Sequence, residues 1–322
     1  MVKQPLHLCT PLLLSSTLSG RCQRDVYLKL ECVQPGGSFK VRGLGRMIQK
    51  AQSKGFSKIV CSSGGNAGMA AAYCGKSLEM QTYIFVPSTT PKYMRDRLQA
   101  IGAEVVVAGD VWEEADLKAR QMVDAAPTRA LYVPPFDHAD IWEGHGTVVH
   151  EIKQQLPQGV VPAAVVVSVG GGGLFNGVAQ GLESSDWSHV PIVAVETKGA
   201  ESFNAMTKAR ALVRIPAITS LAKSLGANCV SQRSLDIVLS GRPVKSMVVS
   251  DRQAVLAVES FLNDERLLVE PACGASLTIA YNESLLTEAM KDNTSTGPIV
   301  IIVCGGNAVT LDALRTWLDT TA

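Results

Sequence analysis

The chain has 322 residues, a length that favours two domains over a single hydrophobic core. Apolar residues make up 46% of it and charged residues 18%, which is typical of a globular protein and excludes an intrinsically disordered one. The 30 lysines and arginines nearly balance the 29 aspartates and glutamates, so the net charge of +1 predicts no nucleic-acid partner bound through a basic surface.

The N-terminal region contains no pattern that predicts secretion or membrane insertion. Its longest apolar run, residues 6–14, is interrupted by His7 and Pro11 and is too short to span a bilayer. The 8 cysteines include no C-x-x-C pair and mostly have apolar neighbours, which predicts neither a zinc site nor a disulfide framework. We therefore expect a cytoplasmic protein with reduced cysteines and no membrane partner.

Short runs of β-branched and apolar residues predict strands, and the segments between them have helical composition, as in Ala67–Ser77 and Tyr93–Ile101. In chain order, the predicted strands are Val26–Leu30, Lys58–Cys61, Gln81–Val86, Glu104–Ala108, Ala163–Val169, Pro191–Val195 and Pro298–Cys304. The runs at 163–169 and 299–303 lack a two-residue alternation, as expected of parallel strands that helices cover on both faces. The predicted fold class is α/β with open parallel sheets, and a domain boundary is expected near residues 134–136.

Ligands of open α/β sheets bind beyond the carboxyl ends of the strands, and four strand–loop junctions carry candidate residues. The first junction is PGGSFKVRG at 35–43, where Ser38 is expected to cap a helix and Lys40 falls in its first turn. The positive end of the helix dipole disfavours a cation, and a neutral lysine amine is what Schiff-base chemistry requires. Taken alone, the pattern also fits an ordinary solvated lysine.

The second junction, CSSGGNAG at 61–68, opens an alanine-rich helix. Its small residues allow main-chain amides to approach a ligand, and a helix N-terminus favours an anion such as a carboxylate. Asn66 adds an amide that both donates and accepts hydrogen bonds. The alternative is a tight strand–helix turn without a ligand.

The third junction contains four consecutive glycines, Gly170 to Gly173, whose main-chain N–H groups suit a phosphate. The GxGxxG dinucleotide pattern is not matched from any of the first three of these glycines, and Gly177 is not followed by the Lys-Ser/Thr pair of a triphosphate loop. Glu196, at the end of the next predicted strand, stands where a ribose-binding acid would lie in a dinucleotide fold. An NAD-dependent oxidoreductase is therefore the alternative at this point.

The fourth junction, VCGGN at 303–307, ends the last predicted strand. A lone cysteine such as Cys304 commonly serves packing. Its place at the carboxyl end of a buried strand also makes it a candidate ligand contact.

Seven segments, taken together and in this order, resemble the pyridoxal-5′-phosphate enzymes of the tryptophan-synthase-β type. Within them, the resemblance is to the L-serine/L-threonine dehydratases, the group of serine dehydratase and serine dehydratase-like proteins. The segments are GSFKVRG at 37–43, SSGGNAGMAAAY at 62–73, PPFDHADIWEGHGT at 134–147, SVGGGGLFNGV at 168–178, ETKGAESF at 196–203, LVEPACGAS at 268–276 and IVCGGN at 302–307.

The resemblance implies an architecture of two open, mainly parallel twisted sheets with helices on both faces. It places the cofactor between a large and a small domain. The large, pyridoxal-phosphate-binding domain would comprise residues 1–33 and 137–322. The small domain would comprise residues 34–136 and carry the substrate-carboxylate loop.

The resemblance also implies roles for individual residues. Lys40 is similar to the Schiff-base lysine that later acts as general base, and Phe39 to the residue against one face of the pyridine ring. Asn66 resembles the asparagine that binds the cofactor's 3′-oxygen, and Cys304 the thiol that faces the pyridine nitrogen. The substrate-carboxylate loop would comprise Ser63, Gly64, Asn66 and Ala67. The phosphate loop would comprise Gly170, Gly171, Gly172, Gly173 and Leu174.

A monovalent-cation site, for K+, is implied by the same resemblance and gives Glu196 a role that does not involve NAD. Its members would be Gly170, Glu196, Ala200, Ser202, Leu225 and Ala227.

The implied activity is that of a lyase of amino-acid catabolism. It would convert L-serine to pyruvate and ammonia, and L-threonine to 2-oxobutyrate and ammonia, as a cytoplasmic homodimer. A thiol at Cys304 supplies no strong positive charge to the ring nitrogen, which favours loss of the β-hydroxyl over reprotonation. Serine racemase, of the same fold, is the alternative; it needs an acid on the opposite ring face, where Gly64 offers no hydroxyl. Some of these dehydratases have alanine at the position of Gly64.

Overall fold

The computed structural model describes residues 4–321, which form ten strands and thirteen α-helices. The strands are β1 (Leu12–Leu14), β2 (Val26–Lys29), β3 (Lys58–Cys61), β4 (Gln81–Val86), β5 (Glu104–Val107), β6 (Ala130–Tyr132), β7 (Ala164–Ser168), β8 (Ile192–Thr197), β9 (Val244–Val249) and β10 (Ile299–Ile302). The helices are α1 (Ser16–Cys22), α2 (Lys40–Ser53), α3 (Asn66–Ser77), α4 (Lys92–Ile101), α5 (Trp112–Asp124), α6 (Ala139–Gln155), α7 (Gly173–Ser184), α8 (Ser202–Ala209), α9 (Gln232–Leu239), α10 (Asp251–Glu265), α11 (Pro271–Tyr281), α12 (Glu283–Ala289) and α13 (Leu311–Thr320). Short 3₁₀ turns lie at Glu31–Val33 and Lys223–Leu225.

The chain divides into two compact units. Of the described residues, the first unit contains residues 4–8 and Gln34–His145, and the second contains Cys9–Val33 and residues 146–321. The domain roles that the resemblance implies stay predictions.

The sheet of the first unit has four parallel strands in the order β5-β4-β3-β6. Successive residues of β3 point to opposite faces, so Ile59 and Cys61 join one apolar cluster and Val60 joins another. The cluster around Ile59 contains buried residues of α2 and α3, and the cluster around Val60 contains Ala115 and Ala119 of α5. Helices therefore cover both faces of this sheet, as predicted.

The sheet of the second unit has six strands in the order β1-β2-β10-β7-β8-β9. Only the short edge strand β1 is antiparallel, and all other pairs are parallel. Every residue of β7, β8 and β10 is buried, which explains why these strands are apolar apart from Ser168, Glu196 and Thr197 at their carboxyl ends. The α/β class with two mainly parallel sheets is thus confirmed.

Parallel strands place their carboxyl ends at one edge of a sheet. The segments that follow β7, β8 and β10 therefore share an edge in the second unit, and these are the segments that contain the four glycines, Ala200 and Cys304. None of the helices in residues 4–321 has the length and apolar content needed to cross a bilayer.

Candidate active site

Lys40 is the first residue of α2, as expected, but the predicted cap is wrong. Phe39 occupies the cap position with helical dihedral angles, φ −52° and ψ −19°, so Ser38 lies outside the helix and caps nothing. The Ser38 hydroxyl is buried and has no hydrogen-bond partner in residues 4–321. A buried polar group left unpaired two residues before Lys40 is consistent with a place for a polar ligand.

The Lys40 side chain is half-buried, and its amine has two contacts. Its Nζ donates to the Pro135 carbonyl oxygen at 2.5 Å and lies 5.2 Å from the centre of the Phe39 ring. Burial raises the pKa of the Cys61 thiol to about 12, while the Ser63 amide and then the Lys40 charge lower it. Lys40 is therefore within electrostatic reach of the end of β3, where the second candidate loop begins.

His145 supports Phe39 and was missed by the sequence reasoning, although it lies in the EGHGT part of a matched segment. Its ring centre lies 4.9 Å from that of Phe39, and a Cβ atom on Gly43 would come within 2.6 Å of its Cε1 atom. Burial, and then the Lys40 and Arg42 charges, hold the pKa of His145 well below its usual range. His145 is therefore a neutral packing partner behind Phe39.

The loop between β3 and α3 brings Ser63, Gly64, Asn66 and Ala67 together at a helix N-terminus. Asn66 and Ala67 are buried in the first turn of α3, and Gly65 is the cap residue. A Cβ atom on Gly68 would lie 1.8 Å from the Ser63 carbonyl oxygen. The loop can therefore pack this closely against α3 only because residue 68 is a glycine. This arrangement suits a carboxylate bound by main-chain amides.

Gly64 faces two side chains of the same unit. A Cβ atom at this position would lie 2.8 Å from Thr90 Cγ2 and 3.0 Å from Val86 Cγ1. The alanine that some dehydratases carry therefore does not fit here unless Thr90 or Val86 moves.

The four glycines of the second unit form the turn into α7, with Gly172 as cap residue at φ +94°. A Cβ atom on Gly172 would overlap the Ser234 hydroxyl at 2.1 Å, and one on Gly170 would lie 3.1 Å from Leu225 Cα. The turn is thus closely packed on one side and carries no side chains from 170 to 173. Main-chain amides at the start of a twelve-residue helix fit a phosphate group.

A buried polar network of α7 and α9 fixes this turn, and sequence reasoning missed it. Asn176 Nδ2 donates to Ser231 Oγ at 2.8 Å, and Ser234 Oγ donates to Asn176 Oδ1 at 2.8 Å. The Ser231 amide donates to the Gly171 carbonyl oxygen at 3.0 Å. The loop glycines are therefore held by a fully paired network.

Glu196 is wholly buried at the end of β8 and binds the start of α8. Its two carboxylate oxygens accept the amides of Phe203 and Asn204, each at 2.7 Å. Burial nevertheless raises its pKa to about 8, and these amide bonds offset only part of the shift. The neighbouring Ser202 hydroxyl is wholly buried and has no hydrogen-bond partner among the described residues. An unpaired oxygen beside a poorly compensated carboxylate fits a small cation.

The remaining members of the predicted cation site have no side-chain oxygen and offer only main-chain carbonyls. Residues 4–321 contain no cluster of three or more His, Cys, Asp or Glu side chains of the kind that holds a transition metal. The donor set therefore suits a monovalent cation better than zinc.

Cys304 follows β10 and is 5% exposed. The Cys273 thiol in the first turn of α11 is its neighbour: burial, and then the Cys304 side chain, raise the pKa of Cys273 well above its usual range. The Cys273 thiol beside Cys304 is therefore uncharged.

The chain resembles known proteins along nearly its whole length. The family described as "Pyridoxal-phosphate dependent enzyme" matches residues 4–305. The L-serine dehydratase/L-threonine deaminase of Homo sapiens is 44% identical over 317 residues, which cover 98% of this chain and 95% of the relative. The serine dehydratase-like protein of Homo sapiens is 47% identical, with 98% of this chain and 96% of the relative covered. A solved structure, the L-serine ammonia-lyase of the fungus Rhizomucor miehei, has a TM-score of 0.92 and 37% identity, with 99% of this chain and 100% of that chain covered.

Proposed function

Because the chain belongs to the family of pyridoxal-phosphate dependent enzymes, we propose that it converts L-serine to pyruvate and ammonia, and L-threonine to 2-oxobutyrate and ammonia. The observation that carries the proposal is the 44% identity, over 98% of the chain, to a human protein named L-serine dehydratase/L-threonine deaminase. Family membership leaves the NAD-dependent alternative without support.

The residues present suit the cofactor. Lys40 would hold it covalently, Phe39 would lie against its ring and Asn66 would bind its 3′-oxygen. The glycines from 170 to 173, with Leu174, would bind its phosphate. When bound, pyridoxal phosphate withdraws electrons from the α-carbon of an amino acid.

The residues of the candidate site then have separate tasks. The amides of Ser63, Gly64, Asn66 and Ala67 bind and orient the substrate carboxylate. Lys40 Nζ, freed as an amine when the substrate amino group takes its place, would remove the proton from the substrate α-carbon as general base. Cys304 would face the ring nitrogen with a thiol group, so no positive charge would be stabilised there and departure of the β-hydroxyl is favoured.

Replacing Cys304 by serine should leave cofactor bound but change the ratio of pyruvate to D-serine formed from L-serine. A hydroxyl is a stronger hydrogen-bond donor and acceptor than a thiol, so it alters the proton affinity of the group it faces. Pyruvate formation and chiral chromatography of serine give the two rates, with Cys229→Ser as a matched control. An unchanged ratio would remove the role assigned to Cys304. Faster D-serine than pyruvate formation by the unmodified enzyme would favour the racemase alternative.

We also propose that Glu196, Ser202 and the carbonyls of Gly170, Ala200, Leu225 and Ala227 bind K+. Replacing Glu196 by glutamine should lower the activity about 10- to 100-fold, the effect of losing a charge-assisted interaction, and should abolish any response to K+. Activity is measured in KCl and in tetramethylammonium chloride, with the exposed Glu183→Gln as control. Equal activity of the unmodified enzyme in both salts would contradict the site.

We propose further that the enzyme is a cytoplasmic homodimer. All 8 cysteines are free thiols, which agrees with a reducing compartment, and the homodimer rests on the family resemblance.

A further inference from the structure

Helix α5 holds the end of strand β3 through both polar groups that Ser62 offers to it. The Ser62 hydroxyl donates to Asp116 Oδ1 at 2.6 Å, and Trp112 Nε1 donates to the Ser62 carbonyl oxygen at 2.8 Å. Trp112 and Asp116 are four residues apart and so lie on one face of the helix. Ser62 is the residue immediately before the loop that contains Ser63 and Gly64.

Asp116 is itself fixed by two further donors. The Tyr132 hydroxyl on β6 donates to the same Oδ1 atom, and Arg120 Nε donates to Oδ2 at 2.8 Å. Arg120 also lies over the Tyr132 ring, with Cζ at 4.2 Å from the ring centre. Burial raises the pKa of Asp116, but the bonds from Ser62, Tyr132 and Arg120 lower it by more, so the carboxylate is charged. The network joins α5, β6 and the end of β3.

The loop after Ser62 is held at its C-terminal side by α3, where the Gly65 carbonyl oxygen accepts the Met69 amide at 3.0 Å, and internally by the Gly65 amide, which donates to Ser63 Oγ at 3.3 Å. It consists of Ser63 and two glycines, which have no side chains to pack and the largest backbone freedom to lose. Its neighbours Val86 and Thr90 limit the space beside Gly64. The anchoring of Ser62 by α5 is therefore the main restraint at the N-terminal side of the loop.

We propose that Asp116 and Trp112 are positioning residues for substrate binding: they hold Ser62, and thereby set where the amides of Ser63 and Gly64 meet the substrate carboxylate. This inference rests on the proposed function. Both residues act through Ser62, and neither belongs to the loop.

Trp112→Phe and Asp116→Asn in the holoenzyme test the inference. Each should raise KM by about 2- to 10-fold, the effect of one weakened hydrogen bond, with a smaller change in kcat. The rise should be similar for L-serine and L-threonine, because both carry the same carboxylate. The visible absorption of the bound cofactor should not change, because Lys40 is outside the network. Trp112 is 46% exposed, so its replacement leaves the core intact.

Arg120→Gln is the matched control, because Arg120 contacts Asp116 and Tyr132 but not Ser62. If the rise in KM came from a general disturbance of the network and not from loss of the contact to Ser62, Arg120→Gln would raise KM as much as Trp112→Phe does. That result would overturn the inference. Unchanged KM values in both test variants overturn it as well, and leave the proposed function intact. Absence of pyruvate from the unmodified enzyme contradicts the proposed function instead. In that case the affinity for L-serine is measured from the change that L-serine causes in the visible band. A weaker affinity in Trp112→Phe and Asp116→Asn, but not in Arg120→Gln, supports the inference, and equal affinities overturn it.

Discussion

Replacing Lys40 by alanine is expected to abolish both the visible absorption of the bound cofactor and the formation of pyruvate from L-serine. Lys40 Nζ is the only group to which we assign both the covalent link and removal of the α-proton. A positioned general base alone contributes roughly 10²- to 10⁴-fold, so the combined loss should be about 10⁴-fold or more. Absorption spectra and a pyruvate assay on the purified variant measure the two effects.

The control for this variant is Lys54→Ala, which removes an exposed lysine at the end of the same helix. It should keep the spectrum and the activity of the unmodified enzyme. Retention of the visible band and of pyruvate formation in Lys40→Ala would show that the Schiff-base lysine is misassigned.

Replacing Gly172 by alanine is expected to cause the second large loss, a rise of about 10-fold or more in the dissociation constant of the cofactor. Two effects combine at this position. The φ of +94° is strained for any residue with a side chain, and the new Cβ atom would lie 2.1 Å from the Ser234 hydroxyl. The turn must therefore move, and its amides move with it. Titration of the apoenzyme with pyridoxal phosphate measures the change.

Gly241→Ala separates the two effects, because Gly241 has φ +83° but no atom within 4 Å of the added Cβ. It should lower the free energy of unfolding by about 1 kcal/mol and leave cofactor affinity unchanged. Adding Ser234→Ala to Gly172→Ala removes the overlapping oxygen and leaves the Cβ of residue 234 at 3.3 Å, but it also removes the hydrogen bond to Asn176 Oδ1, so it should restore only part of the affinity. Normal affinity in Gly172→Ala itself would contradict the phosphate loop.

The buried strands could be predicted because full burial requires apolar residues, which are visible in the sequence. Ala164–Ser168 and Ile299–Ile302 are buried along their whole length, so nearly every residue is apolar. The predicted strands at Lys58–Cys61 and Gln81–Val86 agree with the structure to the residue. The glycines at 64–65 and 170–173 lie at strand–helix turns, as their position after predicted strands indicated.

Three strands were missed for identifiable reasons. Leu12–Leu14 and Ala130–Tyr132 have only three residues each, too few to show a period. Val244–Val249 is an edge strand with partly exposed Lys245 and Ser246, so its apolar pattern is broken. In each case pairing with a neighbouring strand stabilises a segment whose local signal is weak.

The supports of the candidate site could not be predicted, because they join distant parts of the chain. Ser62 and Asp116 are 54 positions apart, and Asn176 and Ser231 are 55 apart. A single sequence contains no signal for such tertiary hydrogen bonds. The residues that would contact ligands could be proposed from motifs, whereas the residues that hold them in place required the fold.

The central claim, that this chain is a pyridoxal-phosphate dependent dehydratase of L-serine, is tested most directly on the unmodified protein. Its visible spectrum is recorded before and after addition of L-serine, while pyruvate and D-serine are assayed in the same sample. We expect a visible band, a change of that band on addition of L-serine, and pyruvate formed faster than D-serine. A protein without a visible band after incubation with pyridoxal phosphate, or one whose band changes without pyruvate formation, would contradict the account.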